Sequence, residues 1–177
     1  METKINILRL FFENHQREFY IRELSRLLKI NHTTVRQQLK KLVKEGYLQL
    51  KPQEPFPLYK SLISRKYLNL KLYFNLEKLR ISNLIQDLER LFEYPTIVLF
   101  GIYAYALDNN TSDIDICLIS NINKDMELLK YEKIINRRIS LHLFTKKKFE
   151  EMIEKNSGFV NNVCNGIVIS GQLEIVK

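Results

Sequence analysis

The sequence predicts an α+β protein in which two modules are joined by a helical segment. Apolar residues recur at helical spacing in the first half, whereas the second half has apolar runs of strand length around a glycine turn. The charge is also divided unevenly: Met1–Glu93 holds 18 Lys and Arg against 10 Asp and Glu, and the remainder holds 10 of each. We therefore expect the first module to contact a polyanion, whereas the second module, which has no net charge, does not need one as a partner.

The composition is that of a folded protein. The chain has 177 residues, of which 45% are hydrophobic, enough for one ordinary domain or two small ones. Its longest apolar-leaning stretch, Thr96–Leu107, has about half the length of a membrane span, and the N-terminus has no cleavable signal pattern, so we expect a cytoplasmic protein without membrane contact. Cys117 and Cys164 lie far apart without metal-binding spacing, which favours buried free thiols.

Three helices and a hairpin are predicted in the first sixty residues. The segments INILRLFFEN and IRELSRLLKI both show helical spacing. In NHTTVRQQLKKLVKEGYL, Asn31 is placed to cap a third helix and Gly46 to end it. The second and third helices, joined by a tight turn, make a helix-turn-helix. The segments YLQLK and PLYKSLI flank the proline-rich loop 52–57 and predict a two-stranded wing.

This pattern resembles the winged helix-turn-helix domains of prokaryotic transcriptional regulators and sets a first domain of residues 1–62. The resemblance implies that the second helix of the motif enters the major groove of double-stranded DNA. Arg and Gln can pair with bases, Thr with a thymine methyl or a phosphate, and Lys with backbone phosphates. The alternative is that these side chains are only the solvated face of a packed helix. The candidate DNA-binding residues are His32, Thr33, Thr34, Arg36, Gln37, Lys40, Lys41 and Lys44.

Residues 63–93 are predicted to form a helical linker. Ser82 can cap a helix whose apolar residues, from Leu84 to Phe92, form a single face. The preceding segment, YLNLKLYFNLEKL, has leucine spacing that suits a helix or a strand, and we expect a helix. Leucine-rich helices near a domain boundary often pack between modules or subunits. Because regulators of this kind usually bind palindromic sites as dimers, we expect a homodimer.

The second module, residues 94–177, carries two aspartates at the start of a strand. PTIVLF predicts a buried strand, Gly101 a tight turn, IYAYAL the start of a helix and SDIDICLIS a second strand. Side chains alternate along a strand, so Asp113 and Asp115 point the same way while Ile114 faces the core. Two such carboxylates can share a divalent cation, and each raises the other's pKa without one. This geometry suits phosphoryl or nucleotidyl transfer with Mg²⁺.

These residues resemble the minimal nucleotidyltransferase domain of the polymerase-beta-like superfamily. That family typically carries Gly-Ser, a helical turn and then Ser-Asp-x-Asp on the next strand, and TSDIDICLI is the most specific part of the match. The resemblance implies that Asp113 and Asp115 are the catalytic pair and bind Mg²⁺. It also implies that a nucleoside triphosphate is held at Gly101, Ile102 and Ser112.

The sequence departs from the family pattern at two places. Ile102 replaces the serine of the Gly-Ser element, so the amide remains but the hydroxyl is lost. The third catalytic carboxylate normally lies on a later strand, for which RRISLHLF is the best candidate. On that strand Ser140 and His142 would face the active side, and neither is a carboxylate. We therefore expect a site that is impaired for ordinary nucleotidyl transfer.

Three functions follow from the combination of the two modules, which resembles an archaeal-type group of regulator-like proteins. The leading hypothesis is a DNA-binding transcriptional regulator whose degenerate nucleotidyltransferase-like domain binds a nucleotide or a partner. The second is an active Mg²⁺-dependent nucleotidyltransferase that modifies a protein or a small molecule. The third is an antitoxin-like protein that modifies or masks a toxin.

Overall fold

The computed structural model describes residues 2–174, with the backbone alone for Glu2. The chain divides into two compact units, Met1–Lys71 and Leu72–Lys177. The division falls inside one long helix that begins in the first unit and ends in the second. No helix within residues 2–174 combines the length and the apolar character that crossing a membrane requires.

The first unit has the predicted three helices and two-stranded wing. The wing strands, β1 (Leu48–Lys51) and β2 (Leu58–Ser61), pair antiparallel, with Leu48 opposite Ser61 and Lys51 opposite Leu58. The core between the helices is formed by large apolar side chains that are almost fully buried, among them Leu8, Phe11, Leu24, Val35 and Leu39. The elements are α1 (Glu2–Glu13), α2 (Ile21–Leu28), α3 (His32–Lys44), β1 (Leu48–Lys51) and β2 (Leu58–Ser61).

The two ends of α3 are fixed by the residues that the sequence predicts. The Asn31 side chain accepts a hydrogen bond from the backbone N–H of Thr33 at 2.8 Å, which satisfies one free donor of the first turn. Beyond the helix, Gly46 has a φ of 76°, a conformation that glycine adopts without a steric penalty. The short turn between α2 and α3, which contains Lys29 at a φ of 53°, completes the helix-turn-helix.

Two helices follow the wing, as predicted. They are α4 (Arg65–Ile81) and α5 (Leu84–Leu91). The Ser82 hydroxyl donates to the Leu79 carbonyl at 2.7 Å and accepts from the Leu84 N–H at 3.3 Å, so it satisfies groups at the end of α4 and the start of α5. Asn83 lies between them in the left-handed conformation, which lets the chain change direction.

The second unit is built on a mixed four-stranded sheet of order β5–β4–β3–β6. The pair β4–β5 is parallel, and the pairs β3–β4 and β3–β6 are antiparallel. The sheet confirms the predicted α+β class. The elements are β3 (Thr96–Phe100), α6 (Gly101–Ala104), β4 (Ile114–Ile119), α7 (Leu129–Ile135), β5 (Ile139–Phe144), α8 (Lys146–Lys155), α9 (Ser157–Cys164) and β6 (Ile167–Ser170).

The alternation of side chains along β4 gives this sheet two different faces. Ile114, Ile116 and Leu118 pack into a core that includes residues of α5 and α7, whereas Cys117 belongs to a separate core with residues of α8 and α9. Both thiols are free, and Cys117 is buried while Cys164 is partly exposed. The helices therefore cover the sheet on both sides, and polar groups collect at the edge where β3 ends and β4 and β5 begin.

Candidate functional site

The exposed face of α3 carries the predicted DNA-binding residues. The side chains at i, i+3, i+4, i+7 and i+11, which are Thr33, Arg36, Gln37, Lys40 and Lys44, are all exposed. They lie opposite the buried stripe of Val35, Leu39 and Leu42. Of the other predicted residues, His32 is exposed at the start of the helix and Thr34 is partly buried. Lys41 is exposed; the pKa of the Glu45 carboxyl one turn later is lowered chiefly by a hydrogen bond from Lys4, and the charge of Lys41 adds to that effect.

A groove of about 730 Å³ lies beside this face, between α2, α3 and the wing. Arg36 lines this groove together with Tyr59 of β2. Burial raises the pKa of Tyr59, and the positive charge of Arg36 opposes that rise. The Arg22 guanidinium stacks over the Phe56 ring of the wing, 5.1 Å from its centroid. The basic residues that line the groove are Arg22, Arg26, His32, Arg36 and Lys40.

Arg22 and Arg26 were missed by the sequence reasoning, which assigned DNA contacts to α3 alone. Their spacing of i, i+4 on α2 places them on one side of that helix, and this was the available signal. The groove shows that the cationic surface extends from α3 to α2. Such a surface suits contacts with both phosphates and bases.

In the second unit, Gly101 brings the chain directly against Asp115. Phe100, the last residue of β3, is the ladder partner of Asp115 on β4. Gly101 follows with a φ of 70°, and a Cβ at this position would lie 2.5 Å from the Asp115 Oδ2 atom. Only glycine fits here without displacing the carboxylate. The next residue, Ile102, lies in the single turn of α6 and has 49% of its surface exposed.

The two aspartates differ in their surroundings. Asp113 is exposed just before β4, whereas Asp115 is partly buried within the strand. Burial raises the pKa of the Asp115 carboxyl, the negative charge of Asp113 raises it further, and the nearby His142 opposes both. Asp113 and His142 therefore lie close enough to act on the Asp115 carboxyl, and for Asp113 this agrees with the predicted alternation of side chains.

Ser112 has a structural role in the turn before Asp113. Its hydroxyl accepts a hydrogen bond from the Asn109 N–H at 3.0 Å and lies 3.3 Å from the Asn109 side-chain oxygen. The Asn109 side chain also accepts from the Thr111 N–H at 2.9 Å. This network fixes the loop that delivers Asp113 to the start of β4. The Ser112 hydroxyl is therefore already used within the turn.

Ser140 is the neighbour of Asp115 on the adjacent strand β5. In the parallel ladder Ser140 pairs with Asp115 and His142 with Cys117, while Leu141 faces the opposite core. The Ser140 Oγ and His142 Nε2 atoms are 3.1 Å apart. The His142 ring also contacts two phenylalanines, with centroid distances of 5.5 Å to Phe100 and 5.3 Å to Phe159.

Asp113 and Asp115 are the side chains at this site that could hold a metal ion. Within residues 2–174, no cluster of three or more His, Cys, Asp or Glu side chains is arranged to hold a metal by itself. Two carboxylates, one just before β4 and one within it, nevertheless fit Mg²⁺, which is commonly bound by one or two carboxylates together with phosphate oxygens and water. The donor set therefore suits a metal that arrives with a phosphorylated ligand.

A buried polar network supports the turn after Gly101. The Asn75 side-chain amide, on the part of α4 that belongs to the second unit, donates to the Tyr103 carbonyl at 3.1 Å and to Asp108 Oδ1 at 2.8 Å. The Tyr103 hydroxyl donates back to the Asn75 carbonyl at 3.3 Å. Burial, reinforced by the charge of Asp108, raises the pKa of Tyr103, so its hydroxyl stays protonated. The sequence reasoning missed this network.

The fold and the two sites define a class of protein in which a helix-turn-helix regulator domain is followed by a nucleotidyltransferase domain. Residues 1–49 match the family model of the bacterial regulatory proteins of the arsR family. Residues 81–164 match the family model of the nucleotidyltransferase domain. The chain therefore carries a regulator-type helix-turn-helix joined to a nucleotidyltransferase domain, which confirms both resemblances stated above.

Two solved structures give weak likenesses. One is a proposed transcriptional regulator from Rhodococcus sp. RHA1, with 12% identity and a TM-score of 0.32 over 70% of this chain; the match spans 46% of the length of that protein, less than half. The other is TrmBL2, an archaeal chromatin protein with a novel mode of DNA binding. It has 14% identity and a TM-score of 0.27 over 87% of this chain and 75% of its own. Both TM-scores are too low to support a functional comparison with this chain. No protein of curated function matches the sequence.

Proposed function

We propose that this protein is a transcriptional regulator that binds double-stranded DNA through α3 and the adjoining groove. The observation that carries the proposal is the row of exposed polar and cationic side chains on the second helix of a helix-turn-helix. The match of residues 1–49 to a regulator family supports it. The protein would act in the cytoplasm, and a homodimer would match the symmetry of a palindromic site.

The side chains of α3 have complementary chemistry for this purpose. Arg36 can pair with guanine and Gln37 with adenine in the major groove, where each good bidentate pair contributes about 1–3 kcal/mol of discrimination. Lys40 and Lys44 are exposed ammonium groups suited to backbone phosphates. Arg22 and Arg26 extend the positive surface onto α2. DNA affinity should therefore combine a base-specific part and a salt-dependent part.

Replacing Arg36 and Lys40 together by Ala in the full chain should weaken duplex binding at least about tenfold. The change removes one base contact and one phosphate contact, and the slope of log affinity against log salt should fall by about one to two units. Fluorescence anisotropy with a duplex from upstream of the protein's own gene, titrated at several salt concentrations, measures both quantities.

The matched control replaces Lys147 and Lys148 of α8 by Ala. Both side chains are exposed, and the double change removes the same number of charges from the second unit. We expect this control to bind the duplex as the parent protein does. If the Arg36 and Lys40 variant also kept the parent's affinity and salt slope, α3 would not be the DNA-binding element.

We further propose that the second unit binds a nucleoside triphosphate together with Mg²⁺. Asp113 and Asp115 would hold the metal, which would neutralise the two carboxylates and link them to the phosphates of the nucleotide. The Gly101–Ile102 turn would offer its backbone amides to the same phosphates. The support is the approach of Asp115 to Gly101, which places the carboxylate and the turn side by side. Nucleotide binding would then be the signal that the regulator senses.

The two departures from the family pattern can be repaired to test this assignment. Ile102→Ser should tighten Mg²⁺-dependent triphosphate binding by up to about tenfold, because a hydrogen bond to a charged acceptor contributes about 1.5–3 kcal/mol. Turnover should stay low in this variant. Adding Ser140→Asp introduces a third carboxylate next to Asp115 in the ladder and should produce hydrolysis in which water attacks the α-phosphorus and pyrophosphate leaves, an activity that the single variant lacks. Calorimetric titration and a pyrophosphate assay measure the two effects.

The outcome also decides between a sensor and an enzyme. Robust pyrophosphate release by the parent protein, lost on changing Asp113 or Asp115, would mean that Ser140 and His142 already suffice. The protein would then be an active nucleotidyltransferase. Thermal unfolding of each variant is the control for folding, since a third carboxylate without metal adds repulsion at a partly buried position.

A further inference from the structure

An open pocket of about 450 Å³ lies next to Asp113, on the side of the site away from Gly101. One wall is the turn Asn110–Asp113, and the other is the end of α7 with the residues that lead into β5. We call it the α7–β5 pocket. Its volume lies in the range of small-molecule sites. The residues of α7 and of the segment leading into β5 that line this pocket are not among the positions that the family resemblance assigns to the metal or the nucleotide.

Three cations converge on this pocket. They are Lys133, Arg137 and Arg138, against the two carboxylates of Asp113 and Glu132. Glu132 is already engaged, since its Oε1 atom accepts the Ile139 N–H at 2.8 Å. Among residues 2–174, neither the Lys133 ammonium group nor the Arg138 guanidinium group has a hydrogen-bond or ion-pair partner, and both residues are exposed. The pocket is therefore positive, and becomes more so when Asp113 is neutralised.

Arg137 differs from its neighbours because it is held inside the protein. Only 8% of its surface is exposed, its Nη1 atom donates to the Asn136 carbonyl at 2.9 Å, and its buried Nε atom has no partner within residues 2–174. A buried guanidinium with an unused donor is costly unless a further group satisfies it. The Nε atom itself is not open to the pocket, but a negative charge bound beside Arg137 would offset part of the cost of the buried positive charge.

Hydrogen bonding at the end of α7 involves the Arg137 side chain but not the side chains of Lys133 and Arg138. The helix ends with Asn136 in the left-handed conformation, and the backbone N–H of Arg137 bonds to the Glu132 carbonyl at 3.2 Å. The Glu132 carbonyl in the last turn therefore accepts from the backbone N–H groups of both Asn136 and Arg137. Lys133 and Arg138 contribute no hydrogen bond to it.

We propose that the α7–β5 pocket binds a phosphate group of a phosphorylated ligand, with Lys133, Arg137 and Arg138 as its cationic contacts. Guanidinium and ammonium groups are the side chains that recognise phosphate, and Arg can do so with two parallel hydrogen bonds. The phosphate belongs either to the nucleotide or to a second, phosphorylated molecule. The inference rests on the proposed nucleotide site only for the role of Mg²⁺ at Asp113.

The test uses the full chain and three probes: inorganic tripolyphosphate, ATP and adenosine, each titrated by calorimetry with and without Mg²⁺. The main variant carries Lys133→Gln and Arg138→Gln, both exposed positions, so Arg137 and the interior stay intact. Its matched control carries Lys147→Gln and Lys148→Gln on α8. We expect the main variant to bind tripolyphosphate about tenfold more weakly than the parent and the control. Adenosine should bind poorly to all of them.

The ATP titration distinguishes the two sources of phosphate. An equal loss of ATP affinity in the main variant identifies the nucleotide's own phosphates as the occupant. An unchanged ATP affinity, with weaker tripolyphosphate binding, identifies the phosphate of a second ligand. If tripolyphosphate binds the main variant as tightly as the parent, or does not bind the parent, the proposal is wrong.

A separate variant keeps this result independent of the metal site. Without Mg²⁺, Asp113→Asn removes a negative charge from the pocket and should strengthen tripolyphosphate binding if the pocket holds the anion. The same change should weaken binding that depends on Mg²⁺. A gain without metal but no Mg²⁺ effect would support the pocket and contradict the proposed metal pair. Weaker or unchanged binding without metal would count against the pocket.

Discussion

Replacing Asp113 and Asp115 together by Asn is expected to abolish Mg²⁺-dependent nucleotide binding. Asn keeps the shape of each side chain but removes both negative charges, and Mg²⁺ requires anionic oxygen ligands at such a site. We expect Mg²⁺ and ATP to raise the unfolding temperature of the parent protein but not that of this variant. Duplex binding by the first unit should remain, because its candidate surface lies on α2 and α3. Asp125→Asn, an exposed carboxylate outside the site, is the matched control.

The same pair of aspartates should make Mg²⁺ binding weaken as pH falls, beginning at a higher pH than an ordinary aspartate would cause. The pKa of Asp115 is raised, chiefly by burial and also by the charge of Asp113. A carboxyl with a raised pKa in the folded state becomes protonated at a higher pH than an ordinary aspartate, and a protonated carboxyl is a poor metal ligand. Without metal, the free energy of unfolding depends on pH in the opposite direction to Mg²⁺ binding. The folded state holds the Asp115 proton more tightly than the unfolded state does, so stability falls as pH rises through the pKa of Asp115. Asp115→Asn should remove both effects.

Gly101→Ala is expected to destabilise the second unit by roughly 2–4 kcal/mol and to displace Asp115. An L-residue at a φ of 70° costs about 1–2 kcal/mol, and the new Cβ would lie 2.5 Å from Asp115 Oδ2, so the carboxylate must move. Denaturant unfolding measures the loss of stability, and an Mg²⁺ titration measures the displaced ligand. Both effects should appear in the same variant.

Gly158→Ala is the matched control for that change. Gly158 lies in α9, and a Cβ there would meet only the Asn156 side chain, at 3.9 Å. Because alanine favours a helix over glycine by up to about 1 kcal/mol, the control should be neutral or slightly stabilising. If Gly101→Ala were as mild as this control, the close approach of Asp115 to the turn would not exist in solution.

Much of the first unit could be predicted because its signals are local. A cap at Asn31, a terminating Gly46 and an apolar stripe are all read within one helix, and each is confirmed. The period-two alternation likewise placed Ser140 and His142 on the side of β5 away from Leu141. These features depend only on the geometry of a single element.

The remaining features depend on contacts between distant segments. Asn75 meets Tyr103 and Asp108 across about thirty residues of sequence, and no periodicity signals such a contact. The pairing of Ser140 with Asp115 likewise depends on the register of two strands joined through α7. Their partners are known only once the sheet has formed.

The amide of Asn75 also limits how this sequence can change over evolution. The leucines around it on α4 can be exchanged for other apolar residues of similar volume at little cost. Leucine at position 75 would instead leave the Tyr103 carbonyl and a buried carboxylate oxygen of Asp108 without this donor. A lineage that kept the Asp-x-Asp motif but lost this amide would keep the recognisable signature of the site and lose the turn that the site depends on. Position 75 is therefore a better indicator of a maintained site among relatives than the motif alone.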